Sequence, residues 1–258
     1  MNTVILEKKE KVGIIKFNRP ESLNCINEEL ADEFNTAITR LENDEAINII
    51  VVTGMGKAFC AGGDIKAIKN LNTKEEAYDF VAKAGTISER IYHSPKPVIA
   101  MVNGAAAGAG FNVALACDLI FASHKAKFIQ SFVNVGLAPD CGGHYLLPNA
   151  IGKHLAKQYM FEANPVTAEK ALELGFVNYI FSPEELEKAT LEYAEKLANK
   201  APLALQQCKK LLNNSDGMTL KEVLVAETEI QSILAMTEDS KEGLTAFTEK
   251  RQPIFKGK

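Results

Sequence analysis

Short apolar segments separated by polar ones are the first feature of the chain. Val12–Phe17, residues 47–52, Val98–Val102 and residues 119–122 are each rich in β-branched or other apolar side chains. The unbroken run INIIVV in the second segment is typical of a strand buried on both faces of a sheet. The pattern therefore predicts four short, mostly buried strands.

An amphipathic helix is predicted from about Glu28 to Glu42, between the first two strands. Leu30, Phe34, Ala37, Ile38 and Leu41 recur at the spacing that places side chains on one side of a helix. Strands that alternate with helical segments favour an α/β fold with crossover connections.

The pattern changes near residue 184. Residues 184–199, 202–213, 219–236 and 239–252 all have helical spacing, and Pro183 and Pro202 stand near helix starts. Asp239 with Glu242 three positions later has the form of a capping box. We predict an α/β core in residues 1–183 and a helical region in residues 184–258, which either packs on the core or serves subunit contact.

Composition narrows the possible classes of protein. The chain has 258 residues, 47% of them hydrophobic and 24% charged, with a net charge of -4. The acidic balance argues against a broad nucleic-acid-binding surface. Five cysteines without a CxxC pair favour reduced thiols and a cytoplasmic location. No apolar run approaches the roughly 20 residues of a membrane helix, so no membrane span is expected.

Two loops rich in small residues follow predicted strands. Residues 54–64 read GMGKAFCAGGD and residues 103–110 read NGAAAGAG. Neither matches a Walker or a dinucleotide-binding motif. Either loop alone could be a simple tight turn. Together, at equivalent strand ends, they predict one ligand site, because ligands of α/β sheets gather beyond the carboxyl ends of the strands.

A carboxylate follows these loops. If residues 108–110 open a helix, its free N–H groups suit a developing negative charge. Asp140 is then the candidate for moving a proton beside that charge, which suggests chemistry through an enolate. The alternative is that Asp140 only caps a helix, since an aspartate after a proline is common there.

Several motifs resemble one family of enzymes. The segments NRPESLN, FCAGGDI, VNGAAAGAG, CDLIFAS, PDCGG, AxELGFVN and DSKEGLTAFTEKR lie in order along nearly the whole chain. They are similar to segments of the enoyl-CoA hydratase/isomerase family, the crotonases. The resemblance implies a spiral of repeated ββα units with a helical C-terminal region, assembled as a homotrimer or a dimer of trimers.

The same resemblance implies an acyl-CoA thioester as the ligand. The thioester oxygen would accept the backbone N–H groups of Gly63 and Ala109, an oxyanion hole. Ala61, Gly62, Asp64 and Ile65 would belong to the segment that binds CoA and the acyl group. No metal or redox cofactor is implied, because CoA enters as part of the substrate.

The chain departs from the hydratase pattern at two positions. Hydratases of this family place glutamates where this chain has Asn112 and Phe132. Adding water needs one group to deprotonate the water and another to manage the proton at the α-carbon, so strong hydratase activity is not expected. Asp140 instead resembles the acid of the family's enoyl-CoA isomerases, and of the ring-opening isomerase of phenylacetate breakdown. A double-bond shift needs a single acid-base group.

An apolar wall around Asp140 is expected from the neighbouring sequence, with burial raising its pKa. The expected wall residues are Phe132, Val133, Val135, Leu137 and Phe111.

Other polar residues are secondary candidates. His144 either holds Asp140 from the next helical turn or is an ordinary helix residue. Asp64 is expected to cap a helix and Asp118 to be structural. Cys141 lacks a neighbouring histidine base and is not expected to be a nucleophile. The basic residues of the tail form a solvated face or contact CoA phosphates: Lys250, Arg251, Lys256 and Lys258.

The leading prediction is an isomerase that converts a 3-enoyl-CoA to a 2-enoyl-CoA. A weak hydratase, in which Asp140 holds water, and an isomerase of a ring-derived CoA ester keep the same fold. A non-catalytic protein that binds CoA or RNA is the alternative of a different class.

Overall fold

The computed structural model describes residues 2–258. Its strands are β1 (Val4–Lys9), β2 (Val12–Phe17), β3 (Ile49–Gly54), β4 (Ala58–Cys60), β5 (Val98–Val102), β6 (Ala105–Ala107), β7 (Leu119–Ser123), β8 (Lys127–Ile129), β9 (Val166–Thr167) and β10 (Tyr179–Phe181). Its α-helices are α1 (Glu28–Glu42), α2 (Ile65–Lys69), α3 (Lys74–His93), α4 (Ala109–Ala116), α5 (Gly143–Ile151), α6 (Lys153–Glu162), α7 (Ala168–Glu173), α8 (Leu186–Ala198), α9 (Pro202–Asn214), α10 (Leu220–Leu234) and α11 (Glu238–Glu249).

Two sheets form the core of the fold. The larger has the order β1-β2-β3-β5-β7-β10, and the smaller has the order β4-β6-β8-β9. Strands β2, β3, β5, β7 and β10 are mutually parallel, as are β4, β6 and β8. Strands β3, β5 and β7 are each followed at once by a strand of the smaller sheet. The result is the spiral of ββα units that the family resemblance implied.

Strand β3 is buried on both faces, as its unbroken apolar run indicated. Ile50 and Val52 belong to the apolar cluster beneath α1 and α3, whereas Ile49 and Val51 belong to a second cluster that α8 completes. Successive side chains of a strand point to opposite faces, so a strand between two layers needs apolar residues throughout.

Within the described residues, the elements after Phe181 are all helices. Leu186, Leu191 and Ala194 of α8 pack on the larger sheet. Lys209 of α9 donates from Nζ to Asp118 Oδ2 at 2.8 Å, which ties this helix to the core. The domain division between residues 183 and 184 stays a prediction. No helix of residues 2–258 has both the length and the apolar character of a membrane span.

The predicted capping box of α11 is wrong. Thr237 is the N-cap, and its Oγ1 accepts the Ser240 N–H at 3.1 Å. Asp239 instead accepts the N–H groups of Lys256 and Gly257 at 2.7 and 2.8 Å. The tail folds back over the start of α11, and its N–H groups bind the Asp239 carboxylate. Local spacing along the chain does not reveal this contact.

Candidate functional site

The two small-residue loops lie side by side because their strands pair. Strands β4 and β6 are parallel, with Ala58 opposite Ala105. Gly62, which follows β4, has φ of +105°, and a methyl group on its Cα would lie 3.0 Å from Ala107 O and 3.6 Å from Ala109 N. A side chain at residue 62 would therefore occupy the space between the loops, which only glycine leaves open.

The Gly63 N–H is left free by the bonds on either side of it. Ile26 N–H donates to Gly62 O at 2.7 Å, and Asp64 N–H donates to Ile26 O at 2.8 Å. Within residues 2–258 the Gly63 N–H has no acceptor. The peptide is fixed on both sides while its donor is available to a ligand.

The Ala109 N–H is a second free donor at the same edge. Ala109 begins α4, and the preceding Gly108 N–H donates to Ile129 O at 2.8 Å. The first N–H groups of a helix have no partner within the helix. No other acceptor for the Ala109 N–H exists among residues 2–258. Two backbone donors at one strand edge suit an anionic oxygen.

An ion pair braces the first loop, and sequence reasoning did not find it. Arg19 Nη2 donates to Asp64 Oδ2 at 2.8 Å, and Arg19 Nη1 donates to Cys25 O at 2.5 Å. Asp64 Oδ1 also accepts the Lys66 N–H at 3.0 Å, so Asp64 caps α2 as predicted. Burial opposes ionisation of Asp64, but Arg19 and the backbone donors outweigh it and hold its pKa below the usual value. Only the NRPESLN motif pointed to this region.

Asp140 points one carboxylate oxygen into the protein. Its Oδ1 is buried and has no hydrogen-bond partner among residues 2–258. Burial raises the pKa of this carboxyl group. Helix α5 begins at Gly143 with Gly142 as its N-cap and no side-chain cap, so Asp140 does not cap it. An unpaired buried carboxylate is costly, which makes it a candidate for chemistry.

The backbone of Asp140 is attached to α4. Asn112 Nδ2 donates to Asp140 O at 2.8 Å, and the Gly143 N–H donates to the same oxygen at 2.9 Å. Burial raises the pKa of the Cys60 thiol to about 12, and the nearby Asp140 carboxylate acts in the same direction. Cys60 ends β4, so the acid lies on the side of the small-residue loops.

Phe132 lies at the start of α4. The ring atom Cζ is 3.6 Å from the position that a Cβ on Gly108 would take, and the residue is buried. Phe132 thus lies beside the candidate anion site, as expected for a residue of the apolar wall.

The rest of the expected apolar wall is not formed within the chain. Phe111 is fully buried in the core, with ring centroids 5.2 and 5.3 Å from Phe128 and Phe176. Leu137 and Ile65 are 47% and 55% exposed, and Val133 and Val135 are also exposed. Neighbours of Phe132 in sequence are exposed because the 3-10 helix Ser131–Val135 buries only Phe132, and the chain then continues at the surface. Of the five expected wall residues, only Phe132 is both buried and placed at the site.

The secondary candidates have structural positions. His144 is exposed and makes no hydrogen bond to Asp140, as expected for an ordinary helix residue. Asp118 accepts the Val98 N–H at 2.7 Å and Lys209 at 2.8 Å, which confirms its structural role. Burial raises the pKa of the Cys141 thiol, in keeping with a group that is not a nucleophile. Arg251 of the tail pairs with Glu242 at 2.6 Å.

Known proteins of similar sequence include both hydratases and isomerases. The chain is 38% identical to a short-chain-enoyl-CoA hydratase of Clostridium acetobutylicum, over 98% of this chain and 97% of that protein. It is 38% identical to a trans-2-decenoyl-[acyl-carrier-protein] isomerase of Streptococcus mutans, over 96% and 95% of the two chains. It is 36% identical to a 1,2-epoxyphenylacetyl-CoA isomerase of Escherichia coli, over the full length of both. Hydratase is the commoner name among the similar proteins compared.

The fold gives the same assignment as the sequence. A crystal structure of an enoyl-CoA hydratase from Bacillus anthracis superposes with a TM-score of 0.96 at 31% identity, covering 99% of this chain and 100% of that one. A sequence model of the enoyl-CoA hydratase/isomerase family matches residues 7–258. The chain therefore belongs to the enoyl-CoA hydratase/isomerase family.

Proposed function

We propose that the protein is an enoyl-CoA isomerase that moves a double bond from the 3 position to the 2 position of an acyl thioester. The observation that supports this most is Asp140, a single inward carboxylate with an unpaired oxygen. The positions that hold acids in the family's hydratases are Asn112 and Phe132, which cannot exchange protons near neutral pH.

The proposed reaction uses Asp140 as a proton shuttle. Its carboxylate takes a proton from C2 of the 3-enoyl thioester, and the electron pair moves onto the thioester oxygen. The N–H groups of Gly63 and Ala109 stabilise that charge, each contributing about 3–4 kcal/mol if they act like other oxyanion donors. The protonated Asp140 then returns the proton to C4, which leaves the double bond between C2 and C3. None of these proposed steps uses water, a metal or a redox cofactor.

Substrate binding is proposed for the residues around these donors. Ala61, Gly62, Asp64 and Ile65 would hold the CoA thioester along the loop that precedes and begins α2. Phe132 would shield the dienolate from water, and Leu137 would contact the acyl chain from the exposed loop.

Hydration is the second candidate, favoured by the names of several relatives. It would require Asp140 to activate water without a second acid. Asn112 is fully buried and both ends of its amide are bonded within the protein, so it has no free group with which to hold that water. We therefore place hydration second. A hydroxyacyl-CoA product would identify it.

The decisive variant is Asp140→Asn, which keeps the shape of the side chain and removes proton transfer. We expect kcat for a 3-enoyl-CoA to fall by about 10³-fold with KM little changed, in line with the usual contribution of a general base. Asp44→Asn, which changes a partly exposed acid that follows α1 and pairs with Lys8, is the control and should keep the parent rate. Parental kcat in Asp140→Asn would overturn the proposal.

Two further measurements separate the remaining alternatives. A panel of a 3-enoyl-CoA, a 2-enoyl-CoA and a ring-derived CoA ester identifies the reaction. Thermal shift with CoA esters and with RNA tests a binding protein without activity, because a ligand raises the melting temperature only if it binds the folded state.

Assembly as a homotrimer or a dimer of trimers is proposed from the C-terminal helices. Helices α10 and α11 leave large apolar side chains exposed, and a single chain does not bury them: Leu224, Val225, Ile233, Leu244 and Phe247, which is 85% exposed. Apolar surface of this kind marks contacts between proteins. Sedimentation equilibrium should give a mass of three or six chains, and a monomer at micromolar concentration would contradict the assembly.

A further inference from the structure

The family resemblance implies an acid in hydratases at the position of Asn112, and here that side chain is fully buried. We propose that Asn112, held by Gln130, is a positioning residue that sets Asp140 relative to the oxyanion donor of Ala109. The inference rests on the proposed role of Asp140.

Both ends of the Asn112 amide are bonded. Its Nδ2 donates to Asp140 O at 2.8 Å, and its Oδ1 accepts Gln130 Nε2 at 2.7 Å. Asn112 is fully buried and Gln130 is 1% exposed. A carbonyl oxygen can only accept, so the contact with Asp140 O identifies which end of the amide is the donor.

Packing leaves the amide a single position. A Cβ at residue 143 would collide with the carboxamide of Asn112, so the glycine at the start of α5 makes room for it. Gln130 directly precedes the short 3-10 helix Ser131–Val135, which contains Phe132. One buried amide therefore joins α4, the segment bearing Phe132 and the segment bearing Asp140.

The connection matters because it holds the backbone of residue 140 from α4, while the Gly143 N–H holds the same oxygen from α5. Asp140 Oδ1 has no partner within the described residues, so its direction depends on where the backbone of residue 140 is held. Asn112 and Ala109 are three residues apart on the same helix. A hydrogen bond from that helix to Asp140 O thus ties the backbone that carries the proposed base to the helix that carries one proposed oxyanion donor.

An acid at position 112 could not do this. A carboxylate has no proton to donate to Asp140 O when it is ionised. Its charge would also lie near Asp140 and would raise the pKa of both groups. The amide holds the base in place and adds no charge, which suits a reaction with one proton-transfer group.

The test is a double-mutant cycle between Asn112 and Asp140. Asn112→Leu has a similar volume and no donor. In the parent we expect it to lower kcat by about 10- to 100-fold with KM within about threefold, because misplacing a catalytic group by an ångström costs about that much. In the Asp140→Asn background we expect less than about a twofold further loss, since a residue acting only through Asp140 has nothing left to position.

A merely structural role gives a different pattern. Loss of folding lowers the rate by the same factor in both backgrounds, and that multiplicative result would overturn the inference. If Asp140→Asn keeps the parent rate, the proposed function fails, and this is visible before the cycle is closed. The apparent pKa of the kcat profile should also move in Asn112→Leu, because the surroundings of the carboxylate change.

Two further variants complete the test: one is a control, and the other replaces Asn112→Leu if that variant does not fold. Asn48→Leu removes an equivalent bond, Asn48 Nδ2 to Ala198 O at 2.8 Å, at the opposite, amino end of β3. It should keep the parent kcat and pH profile. If Asn112→Leu does not fold, Gln130→Met releases Asn112 Oδ1 without contacting Asp140 and should show the same non-additive fall, at a smaller size. Additive effects in both cycles would overturn the inference.

Discussion

The unpaired oxygen of Asp140 is the most informative single atom of the site. Folded proteins pair nearly all buried polar atoms, because an unpaired one gives up its bonds to water without replacement. Asp140 Oδ1 is buried without a partner among residues 2–258. The protein therefore gives up stability where the proposed chemistry needs a reactive base.

A pH dependence of stability follows from that burial. Because the folded-state pKa of Asp140 is raised, the folded protein binds the proton more tightly than the unfolded chain does. Its contribution to stability is greatest at low pH. It declines as the pH rises from the unfolded pKa through the folded one. Asp140→Asn should then be more stable than the parent at pH 7, by about 1.4 kcal/mol for each unit of the shift.

Urea unfolding at pH 7.5 and at pH 4 measures the effect. The advantage of Asp140→Asn should shrink at the lower pH, because the raised pKa means that protonation of the parent carboxyl relieves the cost of its burial as the pH falls. Equal stability of the two proteins at both pH values would show that the carboxyl is not desolvated.

At the scale of residues, the sequence identified candidates but not the contacts that hold them. Gly63, Ala109 and Asp140 could be chosen because loop composition and family motifs mark them. The bond between Arg19 and Asp64 spans 45 positions, and that between Asn112 and Asp140 spans 28. Such contacts depend on how the loops pack, which spacing along the chain does not encode.

At the scale of elements, several segments with a clear apolar pattern were predictable, whereas the 20-residue helix α3 and the three-residue strands were not. The predicted helix over residues 28–42 and the strand Val98–Val102 agree with the structure at both ends. Strands β4, β6 and β8 have three residues each, too few to show a period. The sequence shows β4 and β6 only as parts of small-residue loops and gives no sign of β8. These three strands nevertheless position the candidate site.

The first and last residues of a strand were harder to predict than its presence. The apolar run over residues 47–52 was predicted as a strand, whereas β3 is Ile49–Gly54. Ile47 is buried, so its apolar character reflects packing rather than strand pairing. Hydrophobicity reports burial, and it locates hydrogen bonds only indirectly.

At the scale of the whole molecule, an ion pair with a buried lysine joins the helical region to the sheets. Lys209 Nζ donates to Ile91 O, Lys96 O and Asp118 Oδ2 at 2.9, 3.3 and 2.8 Å. The side chain of Lys209 is only 6% exposed and that of Asp118 is 23% exposed. Removal of the Lys209 ammonium group would leave the Asp118 carboxylate without its partner.

We expect Lys209→Met to lower the free energy of unfolding by about 2–3 kcal/mol at pH 7.5, which allows for the partial exposure of Asp118. The loss should be smaller at pH 4.5, because burial raises the pKa of Asp118 and its protonated form tolerates the missing lysine. Urea unfolding measures both values.

The control is Lys170→Met, which removes an exposed pair with Glu173 of the same length, 2.8 Å. It should change the unfolding free energy by less than about 0.5 kcal/mol. Equal losses in the two variants would mean that the Lys209 pair contributes no more than a surface contact. Asp118→Asn should restore part of the stability of Lys209→Met.

The spiral has a consequence for how such enzymes diversify. Each of three successive turns passes through the smaller sheet, by β4, β6 and β8, and the segments that follow contain Gly63, Ala109 and Asp140 in that order. The two proposed charge-stabilising groups and the proposed proton-transfer group thus occupy separate modules. A lineage could exchange the third module and acquire a new reaction while inheriting the first two unchanged.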